Sequence, residues 1–563
     1  MIDWFVLLWY NIRYCLEVYD MNKIHRICAA TLACLLLAGC QDQNSEPKPT
    51  EEQTDTAVTT TAETAAAAAE TPKESYGVLP VLSIQTKSDA EDVMKFVDEP
   101  VAKVVAEDMS QWDPSYKDVP EPYYEECTVM VHDADGNSLM DGADAKVKVR
   151  GNWTTLYPKK PLRIKFAEKQ NLLGLNDGAA FKNWLLLAEY KDASMLRNKT
   201  ALYAAREILE KDGLYASDAA LVQVEVNGEY YGIYLLAEMP QVNEDRVNIN
   251  EPEKDYTGTD IGYFLEYDGY FVNEEPLYSF PLKLADNAPL TPYDGNGGSG
   301  RTIQCISPDD AEYHKPIGMT IHSDIYSQEQ HDFIENYVNC VYQIMYEAAY
   351  NDKAFVFDAD DSAISETTEL TPQEAVAAVV DLDSLADMYI ISELTCDADI
   401  AWSSFYLSVD MSAAGNQKLT FQAPWDFDSS MGCRPRCEDG QGFYAANIVP
   451  DPDFEEDSAN PWLMVLAYAD WYQTLVKEKW TQAVDDGVFD RTLEMVKNDS
   501  EALQADFTRN YQKWNNILLN FMIVEELSVA ERKVKTEAEA AEYLHQWLEN
   551  RIEFLNSQWY TAQ

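Results

Sequence analysis

A chain of 563 residues can bury one large core or divide into two or three domains. Its 42 lysines and arginines stand against 98 aspartates and glutamates, a formal charge of −56. That balance excludes a nucleic-acid-backbone binder, which needs dense Lys and Arg, and obliges any anionic ligand to find a local basic patch.

The first two segments read as an address rather than as a fold. Met21-Asn-Lys-Ile-His-Arg26 precedes an apolar run, Ile27 to Leu37, which ends in Leu37-Ala-Gly-Cys40. A basic start, an apolar run of about 7–15 residues and small residues at the cleavage point make a secretory signal. The cysteine after Leu-Ala-Gly resembles a bacterial lipobox. That resemblance implies cleavage before Cys40, lipidation of its thiol, and an exported protein held by lipid at the cell membrane or cell surface. Residues 1–20 stand outside this pattern, so the expected true start is Met21. Residues 41–75 are rich in Thr, Ala and Glu with almost no large apolar side chains, the composition of a disordered tether. The expected organisation is a signal region at 1–40, the tether at 41–75, a folded body at 76–450, and a helical part of the same domain at 451–563.

The body begins with a strand over Leu79–Thr86. Cys127–His132 with Asp133-Ala-Asp-Gly136 gives a strand and a turn. Ala145-Lys-Val-Lys-Val-Arg150 alternates with period two, and Pro158–Phe166 follows as a second basic strand. Lys146, Lys148, Arg150, Lys159, Lys160, Arg163 and Lys165 make this the most basic stretch of the chain, suited to an anion such as a nucleotide phosphate. Asp192–Glu210 reads as a helix with Asp192 as N-cap and Met195, Leu202, Ala205 and Leu209 on its apolar stripe. Asn227-Gly228 between apolar alternating runs marks a hairpin, 220–226 with 229–236, that exits at Glu238. Residues 250–375 look long and irregular apart from an amphipathic helix over Gln330–Tyr350. The glycine run Gly295–Gly300 has no strand before it and no Gly-Lys-Ser/Thr after it, so it reads as a surface loop.

Asp381–Leu394 reads as a helix that runs into Thr395-Cys-Asp-Ala-Asp399, and Phe405–Val409 as the strand beyond it. Leu419–Ala423 alternates as a half-buried strand, stopped by Pro424, and delivers Asp426 and Asp428 at its end. Two carboxylates held there suit a hard divalent cation such as Mg²⁺. No HExxH, no Cys/His zinc spacing and no GxSxG elbow occurs. Of the cysteines beyond Cys40, Cys433 and Cys437 are the closest pair; a bridge between them would stiffen the loop after Asp428, and two reduced thiols fit the sequence equally well. The tail is helical and rich in Trp and Leu.

The order of these parts carries chemistry. Strands with a Gly-containing turn, a basic strand, a helix, a hairpin with a short exit, an Asp after a helix and a second Asp after a strand follow the layout of a protein kinase. Arg150-Gly-Asn-Trp153, Lys159–Phe166, Asn183-Trp-Leu-Leu186, Asp192 with Leu196-Arg-Asn198, Val226–Glu238, Pro424-Trp-Asp-Phe-Asp428 and Trp547 with Arg551 resemble motifs of the spore coat protein H (CotH) kinase family. The resemblance spans about residues 79–560. It implies an α+β, atypical protein-kinase-like two-lobed fold with a helical C-terminal region, using ATP and Mg²⁺ to phosphorylate Ser/Thr of secreted or surface proteins.

The resemblance also implies roles. Lys160 matches the family's Lys before the basic strand, with Lys165 as rival phosphate contact and Arg150 and Glu238 at the nucleotide. Asp399 matches the catalytic base, with Asp397 as its alternative. Asp426 matches the metal ligand, and Asp428 shares the ion. Where a kinase catalytic loop carries a metal-binding Asn five residues past its Asp, this chain has Ser404, whose hydroxyl is expected to ligate Mg²⁺ in its place, more weakly than an amide. That departure sustains a second reading, a catalytically weak or inactive kinase-like module that binds a surface partner. Paired carboxylates such as Asp399 and Asp426 also suit a glycosidase, which leaves the basic strand unexplained.

Overall fold

The computed structural model describes residues 77–88, 93–296, 300–305, 317–397, 399–450, 457–515 and 526–562. The signal region with Cys40, the tether, and the middle of the Gly295–Gly300 loop lie outside the described residues. Within them the protein is α+β, as the sequence leads one to expect.

Seven strands close into a barrel: β1 (Val81–Thr86), β2 (Glu125–His132), β3 (Ser138–Val149), β4 (Leu162–Gln170), β5 (Phe181–Leu187), β6 (Ala219–Val226) and β7 (Glu229–Glu238). The order round the barrel is β1-β2-β3-β4-β5-β7-β6. β1 closes it by pairing parallel with β6, and every other pairing is antiparallel. Period-two alternation sends Ala145, Val147, Val149, Leu162, Ile164 and Phe166 into the barrel core. Lys146, Lys148, Arg163 and Lys165 therefore stand on its outer face. Lys146 lies directly opposite Lys165, and Lys148 opposite Arg163. Like charges placed so destabilise a strand pair.

β5 reads as an unbroken apolar run because it serves two cores. Trp184 and Leu186 face the barrel interior, while Leu185 and Leu187 pack in the core that includes α1 (Arg197–Leu209). Helix α1 begins five residues after Asp192, yet that carboxylate still caps it, accepting from Ser194, Leu196 and Arg197 backbone N–H groups at 2.8–3.0 Å. The expected stripe, Met195, Leu202, Ala205 and Leu209, is buried.

The second sheet has the order β14-β13-β8-β10-β9. Its strands are β8 (Gly262–Asp268), β9 (Ser279–Pro281), β10 (Gly318–Ile321), β13 (Phe405–Asp410) and β14 (Thr420–Phe421). Three of them, with the hairpin β11 (Ala354–Phe357) and β12 (Ile364–Thr367), arise from the stretch expected to be irregular. The central strand β8 is covered on both faces, so Tyr263, Phe264, Leu265 and Tyr267 are all buried and no alternation betrays it. For the same reason Leu419–Ala423 is buried throughout rather than on one side, and only two of its residues pair as a strand.

The long helices are α2 (Gln328–Asn351), α3 (Pro372–Val379), α4 (Leu382–Thr395), α5 (Asp470–Asp485), α6 (Val488–Ala502), α7 (Gln504–Trp514) and α8 (Glu537–Trp559). Helix α4 packs in the same core as α5, α6 and α8, so the tail shares its core with the body. Asp381 caps α4 by accepting from the Ser384 N–H at 3.1 Å. Cys433 and Cys437 do not bridge. Both are buried, Cys433 in the barrel core and Cys437 in the other. No helix among the described residues is long and apolar enough to cross a membrane.

Candidate functional site

Two chain segments deliver the carboxylates. Helix α4 ends at Cys396, which turns left-handed at φ 47° and throws Asp397 and Asp399 off the helix end. After β14 the chain bends through Ala423 at φ 60° and Asp426 at φ 70° into a short 3₁₀ turn, Phe427–Ser429. An Asp tolerates the left-handed region, whereas an Ala there stores strain of the kind concentrated at functional sites.

Fixed contacts hold this bend. The Phe427 N–H donates to Asn198 Oδ1 of α1 at 2.8 Å, and the Met431 N–H to the Thr395 carbonyl of α4 at 2.7 Å. Gly432, at φ 77°, lies so close to α8 that an added Cβ would stand 2.5 Å from Trp547 Cδ1.

Asp399, Asp426 and Asp428 each present a carboxylate oxygen, all within 4.8 Å of one another. Asp397 is 1 % exposed. Its Oδ1 accepts the Asp399 N–H at 3.1 Å, while its Oδ2 is buried without a hydrogen-bond partner. Burial first, and then Asp399, push the Asp397 carboxyl well above the usual carboxylate range. Burial, Asp428 and Asp399 push Asp426 up to about 7, against the pull of Arg150 and Lys191. The site thus concentrates more negative charge than its own cations balance.

One of those cations, Lys191, has its ammonium 3.2 Å from Asp428 Oδ1 with both side chains largely buried. Burial works against the charge on Lys191, but Asp428 and its neighbours outweigh it and hold the pKa above the ordinary value. Arg434 pairs with Glu526 at 3.1 Å. Behind Lys191, the buried Glu189 carboxylate accepts from Asn198 Nδ2 at 3.1 and 3.2 Å, so one amide joins Glu189 to the Asp426–Asp428 turn.

Of the residues expected at a nucleotide, Arg150 alone is placed to act on Asp426. Lys165 is exposed on the barrel's outer face. Lys160 is not brought to the carboxylates: its ammonium is buried and donates to the Thr155 carbonyl, and its backbone carbonyl accepts the Tyr234 hydroxyl at 2.9 Å. Burial draws its pKa down to about 8, with Asp98 opposing. Glu238 is fully engaged, taking Arg246 Nε and Asn176 Nδ2 at 3.0 Å and the Asp218 N–H at 2.9 Å. Ser404 sits at φ 61° with its N–H on Glu266 Oε1 at 2.8 Å, and Glu266 Oε2 meets His322 Nε2 at 2.7 Å.

Sequence reasoning missed Lys191 and Glu189, and it gave the motif residue Asn198 no role. The available signal was a lysine between two carboxylates, Glu189-Tyr-Lys-Asp192, directly after a buried apolar run.

The donor set tests which ligand the carboxylates suit. It consists of oxygens only, it is charged in excess of its counter-ions, and the buried Asp397 Oδ2 lacks a partner. A small, hard divalent cation fits all three features. No curated protein matches the chain at a significant level. The family model described as CotH kinase protein matches residues 147–555, from the basic strand β3 to the last turns of α8. The chain therefore belongs to the CotH kinase protein family.

Proposed function

We propose that this protein is a kinase that transfers phosphate from ATP to Ser or Thr of secreted or surface proteins. In this reading the barrel serves as the N-terminal lobe and the second sheet with its helices as the C-terminal lobe. The observation that carries it is the convergence of Asp399, Asp426 and Asp428 within 4.8 Å, with Arg150 acting on Asp426. Arg150 ends a row of cations, Lys148, Arg163, Lys146 and Lys165, among which no ion pair occurs in the described residues. Two directly opposed like-charge pairs are a standing cost that a bound polyphosphate relieves.

The division of labour follows from these positions. Asp426, Asp428 and Asp399 hold Mg²⁺. When bound, the ion neutralises and orients the phosphate oxygens. Arg150 and the cation row bind and align the phosphates, which is the larger part of phosphoryl-transfer catalysis. The acceptor hydroxyl's proton passes to the Asp399 carboxylate, the more accessible of the Asp397–Asp399 pair. Export through the signal at Met21–Gly39 and lipid attachment at Cys40 place the enzyme at a membrane or cell surface.

Isothermal titration of ATP into the protein, with and without Mg²⁺, tests this reading. Binding that requires Mg²⁺ and is lost in Asp426→Ala is the expected result. Absence of binding at millimolar ATP would sink it and leave the second reading, a surface-binding module. The feature in favour of that reading is Ser404, a hydroxyl where the kinase catalytic loop carries a metal-binding amide.

A further inference from the structure

Protein kinases hold two Mg²⁺ ions, one ligated by the catalytic-loop Asn. Two independent features of this chain depart from that arrangement. At the first, five residues after Asp399, Ser404 replaces the amide, and its backbone is fixed at φ 61° by the Glu266 carboxylate. At the second, the Lys191 ammonium already neutralises Asp428, at 3.2 Å and with side-chain exposures of 8 % and 13 %. A charge so deeply placed is retained only because it is paired.

We infer that the site takes a single divalent cation with each nucleotide, and that Lys191 is a tethered positive charge standing in for the second. This rests on the kinase reading above. Lys191 is a positioning residue: it fixes Asp428 and supplies charge without exchanging with solvent. A tethered ammonium cannot dissociate, so occupancy of the site saturates at one ion however much divalent metal is present.

The test counts ions rather than turnover. Equilibrium dialysis of the protein against Mn²⁺ and a non-hydrolysable ATP analogue measures the manganese and the nucleotide retained together. One manganese per retained nucleotide is expected for the wild type. Two would overturn the inference and leave the kinase reading intact, whereas no retained nucleotide would overturn both. In Lys191→Ala the ratio is expected to rise from one to two, and in Lys191→Arg, which keeps the charge, to stay at one. A Lys191→Ala protein that folds, as judged by circular dichroism, and still retains one manganese would also overturn it. The wild-type ratio decides the matter even if the alanine variant fails to fold.

Discussion

The side-chain oxygen of Asn198 accepts the backbone N–H of Phe427 at 2.8 Å, which places helix α1 in direct contact with the residue between the two carboxylates. The same amide donates to Glu189, so its orientation is fixed from both ends. Replacing it with alanine leaves a buried N–H and a buried carboxylate without partners. Asn198→Ala is expected to cost about 1–3 kcal/mol of stability and to weaken Mg²⁺-dependent ATP binding. Chemical denaturation with a parallel titration checks both. Unchanged ATP affinity in a folded variant would show that Asp426 and Asp428 do not depend on α1.

Arg551 and Glu393 form a second fixed point, which joins helix α8 to helix α4. Their side chains are fully buried, with Arg551 Nη2 2.6 Å from Glu393 Oε2. Arg551 also donates to the Gly440 and Gly442 carbonyls, while Glu393 accepts the Tyr444 and Ala445 N–H groups. Removing one partner strands a charge in the interior, so Arg551→Ala should lose about 3–5 kcal/mol. A loss below 1 kcal/mol in urea unfolding, on the scale of an exposed pair, would contradict this account of how α8 is fastened to α4.

Gly432 is constrained by its conformation and by its surroundings. At φ 77° an L-residue is strained by about 1–2 kcal/mol, and a Cβ would also meet Trp547 and Tyr543. Gly432→Ala should therefore lower the melting temperature and disturb the turn that holds Asp428. A variant melting with the wild type would mean that α8 yields easily.

Asp387 gives stability a pH dependence of defined sign. It lies on α4 between Lys479, at 3.0 Å, and Asp212, and burial above all pushes its carboxyl up to about 8. The unfolded chain releases that proton near about pH 4. Between those values the folded state binds more protons, so this group makes stability fall as pH rises. Unfolding free energies measured from pH 5 to pH 8 should fall less steeply in Asp387→Asn than in the wild type. Equal slopes would exclude Asp387 as the source.

Much of the site could be read from the sequence because its chemistry is local. Asp426 with Asp428 after a strand needed only periodicity and a proline stop, Asp399 entered through the family resemblance as a base, and the structure brings the three carboxylates within 4.8 Å of one another. The Asn227-Gly228 hairpin and the basic strands likewise follow short-range rules. What escaped depends on tertiary burial. β8 lacks alternation because both its faces are covered, and Lys160 turns to a local carbonyl within the fold. Lys191 escaped because lysine is ordinarily solvated, and only the folded chain reveals Asp428 beside it.

The barrel is closed by a pairing between strands far apart in the chain. Ser83 and Glu225, hydrogen-bonded across that seam at 3.0 Å, are 142 residues apart. Such a long loop is slow to close, so β1 stays without its parallel partner until the whole of the intervening chain has been made and β6 is in place.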